Sequence, residues 1–154
     1  DLDDIHDVLQ GFVIAMGRWI ARHGGQIFSL EPVVDALARQ ANQTQEPERL
    51  LPLYQAMGEI IDATAAAIRQ DLEKTNPGRP WRVLHLNRAI VATRTHHPDI
   101  MEEAFSVLTR ALPEDAPGFF SQGMEQMDLL NYPRHVRDVM DRYYRKWSVD
   151  RSLH

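Results

Sequence analysis

Cysteine is absent from this chain. That excludes disulfides, thiolate metal sites, iron–sulfur clusters and cysteine nucleophiles, and it fits a reducing, cytoplasmic setting. Long apolar runs are absent too. The longest, Gly11–Gly17, falls well short of the ~18 residues that span a membrane. No segment alternates apolar and polar residues with the period of two that marks a half-buried strand. Lysine is scarce: the seventeen basic residues are fifteen arginines and two lysines. This ratio fits the codon bias of a GC-rich, bacterial genome. It also fits a chain that uses planar guanidinium forks on carboxylate or phosphate. Composition does not separate the two.

Catalytic signatures are missing as well. The sequence has no Walker loop, no dinucleotide-binding glycine fingerprint, no Gly-x-Ser-x-Gly elbow and no His-Glu-x-x-His. Ser29, Ser106, Ser121, Ser148 and Ser152 lack any local nucleophile context. The expectation leans away from an enzyme, with no cofactor. A net charge of −5 argues against nucleic-acid binding by this segment, because such surfaces are usually basic.

What is present is helical period. The 154 residues suit one domain able to bury a core without staples. The expectation is a single all-α domain over 1–154, a bundle of six or seven helices around a buried central helix at about 80–95. Ser148–His154 is expected to fray. Because the chain opens on Asp1, a segment is expected upstream.

Asp1–His23 reads as the first helix, with Leu2, Ile5, Leu9, Phe12, Met16, Trp19 and Ile20 at steps of three and four as its inward stripe. Gly24-Gly25 stops it. Gly11 and Ala15, four apart, suggest a close helix approach. Ser29 is read as the N-cap of Leu30–Ala41. A third helix starts near Pro47 or Pro52, with the firm start at about Pro52 after one loose turn, since an interior proline is costly, and carries Tyr54, Met57, Ile61, Ala65, Ile68 and Leu72 inward to about Lys74. Asn76-Pro77-Gly78 is a turn, and Pro80 opens the central helix. Pro98 opens the next, with Ile100, Met101, Ala104, Phe105, Leu108, Ala111 and Leu112 inward. Phe119–Leu130 follows, with Phe120, Met124, Met127 and Leu130 inward. Arg134–Trp147 is the last helix, with Val136, Val139, Met140, Tyr143 and Trp147 as its stripe.

The stretch Trp81–Thr95 is apolar in nearly every direction, the pattern of a helix buried all round. Within it sit His85, Asn87 and Arg88. A buried arginine needs a carboxylate and further acceptors. These three residues are either a satisfied structural network or the lining of a pocket for a carboxylate or phosphate ligand. Met124 and Met127, beside Phe119 and Phe120, are core filler or the wall of a ligand cavity. His96, His97, Asp99, Glu102 and Glu103 cluster in sequence. However, His97 sits where an N-cap belongs, and acids suit a first helical turn, so no metal is expected.

The head of the chain is acidic at Asp1, Asp3, Asp4 and Asp7. The last helix is basic at Arg134, Arg137, Arg142, Arg145, Lys146 and Arg151. Dipole complementation explains both ends. The alternative is docking on another chain, with Tyr143, Tyr144 and Trp147 as apolar anchors. Two function classes stay open. One is a non-catalytic helical protein-interaction or accessory-subunit module, with another protein or a second copy as partner. The other is a small-molecule-binding helical domain, a sensor or a minor enzyme, built around the buried His/Arg pocket.

Overall fold

The computed structural model describes residues 1–152, of which 149–152 are described by backbone alone. The chain is all-α: eight helices and no strand among the described residues. They are α1 (Leu2–Arg22), α2 (Glu31–Gln43), α3 (Pro47–Ala63), α4 (Ala66–Arg69), α5 (Pro80–Arg94), α6 (Pro98–Ala111), α7 (Ala116–Leu129) and α8 (Arg134–Ser152). No described helix is long and apolar enough to cross a membrane. The helices gather into two compact units, divided after Val91 within α5.

In the first unit α1 packs on both α2 and α3, and α2 on α3. The core comes from Val34 and Leu37 of α2, Leu50, Met57 and Ile60 of α3, and Leu84 of α5, all nearly inaccessible. Helix α1 enters this packing on a narrow side. Only Ile14 and Gly17 are buried along it. A Cβ on Gly17 would stand 2.9 Å from Ile60 Cδ1 and 3.2 Å from Val33 Cγ2, so glycine sets the closeness of that approach. The glycine expected to do this, Gly11, has nothing within 4 Å.

The third helix takes the earlier of its two expected starts and departs from its expected end. It starts at Pro47 and carries Pro52 inside. Pro52 is exposed, where water can serve the carbonyl that loses its partner. It stops at Ala63 instead of near Lys74, because the backbone of Ile27 intercepts it: Ile27 N donates to Ala63 O at 2.8 Å, and Ala65 N donates to Ile27 O at 2.9 Å. This isolated Ile27–Thr64 bridge costs the helix its continuation and leaves α4 as one separate turn. Leu72, expected inward, is 81% exposed beyond it. Ser29 does not cap α2; Leu30 holds that position, without a side-chain cap.

In the second unit α8 packs on α7 and on α6. Phe105, Phe119, Phe120 and Tyr143 form an aromatic cluster with ring centroids 5.2–5.7 Å apart, mostly edge-to-face as rings favour, with Phe120 and Tyr143 tilted at 34°. Met101, Leu108, Leu112, Val136 and Met140 fill the space beside it. Pro98 opens α6 behind His97, as expected, although His97 makes no side-chain cap. Helix α7 begins earlier than expected, at Ala116, and Leu130 lies exposed past its end. Helix α8 runs past Trp147 to Ser152, with no glycine or proline there to stop it. Residues 153 and 154 of the expected frayed tail lie outside the described residues.

Candidate functional site

The polar trio of α5 is positioned by burial. His85 is 3% exposed and Arg88 8%, while Asn87 is half-buried. The helix is closed on most of its circumference, with Ile90, 46% exposed, on its open edge. The guanidinium of Arg88 lies 4.5 Å over the ring of Tyr54, a cation–π contact that partly replaces the lost water. The ring of His85 meets that of Trp81 edge-on at 4.3 Å. Its Nε2 is buried and makes no hydrogen bond among the described residues. Burial first, then the nearby charges of Arg88 and Arg69, lower its pKa to about 4, so the ring is neutral at physiological pH. It is a weak base in this setting.

Next to this group is an ion pair that sequence inspection passed over. Asp71, with φ of 53°, and Arg79 form a buried two-pronged salt bridge. Arg79 also donates to the carbonyls of Asn76 at 3.0 Å and Lys74 at 3.3 Å. The pair closes the turn ahead of α5, and its donors and acceptors are largely spent on each other. A hollow of about 360 Å³ adjoins it, lined by Leu30, Ile68, Leu72 and Trp81 among others.

Met124 and Met127 belong to the second unit, and the α5 trio to the first. Met127 is buried and Met124 half-buried. Tyr143 spends its ring on Phe105 and Phe120, and its hydroxyl donates to Glu102 O at 3.5 Å. Tyr144 and Trp147 are half-buried. The basic face of α8 is largely matched locally: Arg137 pairs with Asp128 at 2.6 Å, Arg142 with Glu102 at 2.5 Å and Arg145 with Asp141 at 3.0 Å. Side chains of Asp150 and Arg151 lie outside the described residues. His96 packs on Tyr132 at 5.0 Å, with its pKa lowered by burial and then by His135 and His97. No group of three or more metal-ligating side chains comes together among the described residues.

The largest surprise is α1. Most of its expected inward stripe faces out: Leu2, Ile5, Leu9, Phe12, Met16 and Trp19 are 72, 54, 55, 61, 43 and 57% exposed, with Val8 beside them at 73%, while Ile20 is half-buried. The helix is held by its other edge. Arg18 donates to Glu59 at 2.7 Å and Arg22 at 3.1 Å, and these bonds, Arg18's foremost, hold the Glu59 carboxyl below the usual carboxylate range. Asp7 pairs with Arg39 of α2 at 3.5 Å. Beside the stripe a shallow apolar hollow of about 220 Å³ runs between Phe12, Met16, Ile20, Ile27, Pro32 and Val33. Monomers rarely expose contiguous apolar patches beyond a few hundred Å² without a use for them. No protein-family model, curated protein or solved structure matches this chain.

Proposed function

We propose that this chain is a non-catalytic helical module that works through protein contacts, with the uncovered face of α1 as its working surface. One observation carries this reading. Seven large apolar side chains stand exposed on a single helix, while the same helix is clipped to its own unit by ion pairs on another edge. The clips hold α1 in orientation, so the apolar face is presented ready-made. Chemistry is not what the face offers: it carries no titratable or nucleophilic group among its large residues.

The test is a fold-against-face measurement. Phe12→Glu should melt within a few degrees of wild type at low protein concentration, since exposed substitutions stay within about 0.5 kcal/mol. A melt that collapses would make the stripe part of the chain's own core and end the proposal.

A second reading, small-molecule binding at His85, Asn87 and Arg88, draws support from the buried, unmatched Nε2 of His85. A ligand donor or acceptor reaching that atom would complete it. Native mass spectrometry of the purified chain reads this directly. A stoichiometric small molecule lost on His85→Phe supports the site, and a bare polypeptide mass argues against it.

A further inference from the structure

We infer that the partner covering α1 is a second copy of this chain, with the two α1 helices lying antiparallel about a two-fold axis. This rests on the reading of α1 as an interaction surface and gives it an occupant.

The spacing of the stripe is the first support. Leu2, Ile5, Leu9, Phe12, Met16 and Trp19 follow steps of three, four, three, four and three. This is the 3.5-residue seam along which one helix packs on another, narrower than the face a helix turns to a globular core. The order of steps is the same read from either end. Reversed, the seam therefore meets itself in register, with Leu2 opposite Trp19, Ile5 opposite Met16 and Leu9 opposite Phe12. In a two-fold interface each such contact occurs twice.

Charge sets the direction. Asp1, Asp3, Asp4 and Asp7 crowd the start of α1, and Arg18 and Arg22 stand at its end. Parallel pairing would bring two acidic ends together. Antiparallel pairing places each acidic end beside the other copy's arginines, and Asp1 and Arg22 flank the seam on the same side. The helix dipoles then also oppose each other favourably. Arg22 keeps 58% of its side chain exposed while touching Glu59, so it retains surface to offer.

Area is the third support. Aromatic side chains bury about 150–250 Å² each, and here two aromatics and five aliphatics are between 43 and 73% exposed. Covering them removes several hundred Å² per copy, the order of the ~800 Å² per partner in a standard interface. The hollow beside Phe12 and Met16 gives the facing copy's side chains a place to enter.

The absence of cysteine makes the geometry directly readable. Ile5 and Met16 are both exposed and about 16 Å apart along one helix, while a disulfide needs Cα atoms within ~7 Å. Sedimentation across a concentration series should show wild type reaching twice 17.7 kDa, and Phe12→Glu staying monomeric with an unchanged helical spectrum. Under mild oxidation a mixture of the Ile5→Cys and Met16→Cys chains should cross-link, and neither chain should do so alone. Cross-linking of Ile5→Cys by itself would mean parallel pairing and overturn the inference. A wild type that is monomeric throughout, with Phe12→Glu melting normally, would overturn the second copy while leaving α1 an interaction surface for another protein. Unfolding of Phe12→Glu would instead overturn the surface itself.

Discussion

Helices α6 and α1 are both amphipathic, each with large apolar residues at steps of three and four. In α6 the stripe is closed: Met101, Phe105 and Leu108 have no accessible surface. In α1 the stripe is open, with Phe12 61% and Trp19 57% exposed. The difference lies in what folds back over each helix. Helix α8 returns across α6 and brings Tyr143 onto Phe105. Helices α2 and α3 meet α1 on the side of Ile14 and Gly17, and Glu59 and Arg39 hold its charged edge. An amphipathic stripe therefore states that a helix needs cover. It does not state which chain supplies it.

The sharpest way to break this comparison is to truncate one phenylalanine from each stripe. Phe105→Ala should cost ~3–5 kcal/mol, as buried aromatics do, and Phe12→Ala should stay within about 0.5 kcal/mol in the dilute chain. Urea denaturation of both variants decides it, and equal costs would erase the distinction.

Helix α5 sharpens the comparison from between the extremes, since it is closed over His85 and open at Ile90. The His85 pKa is lowered to about 4 from its usual 6.5, so between those values the unfolded chain binds the proton more tightly. Stability should then be fully present above about pH 6.5 and fall as pH drops toward 4, by up to ~3 kcal/mol for this one group. His85→Gln should remove that part of the slope in urea titrations at several pH values. An unchanged slope would show that the ring is not shielded from water.

Smaller effects test which edge of α1 is inside. Gly11→Ala should stabilise by ~1 kcal/mol through helix propensity alone, because nothing lies within 4 Å of its Cβ position. Gly17→Ala should forfeit that gain, since its Cβ would press on Ile60 and Val33 and overpacking costs ~1–3 kcal/mol. Thermal melts of the two variants should move apart, and identical shifts would place α1 differently on its neighbours. Least of all should matter the exposed ion pairs. Arg142→Ala in the α6–α8 region and Arg22→Ala in α1 should each cost less than ~1 kcal/mol. A larger loss from either melt would mean that charge, rather than apolar cover, separates the two regions.

Part of the candidate sites was legible in the residues themselves. The α1 stripe could be read residue by residue, although as core. His85 and Arg88 could be read as buried, because polar groups stand out in a helix that is apolar on nearly every side. The Asp71–Arg79 pair could not. Its members lie on either side of the Asn76-Pro77-Gly78 turn, and an acid and an arginine eight residues apart meet only if the turn folds them together. Tyr143 reads both as part of the last helix's apolar stripe and as a docking anchor, because nothing local shows that Phe105 and Phe120 claim its ring.

By itself the sequence determined the helices and most of their breaks. Gly24-Gly25, Asn76-Pro77-Gly78, Pro80 and Pro98 act through local backbone geometry, which needs no distant partner. Periodicity likewise marks a helix's apolar side from a few neighbouring residues. Only the tertiary structure decided which sides are covered and where α3 ends. Cover comes from elements far along the chain, and the stop at Ala63 comes from hydrogen bonds to Ile27. Such long-range contacts depend on how loops close in space, which local pattern does not encode.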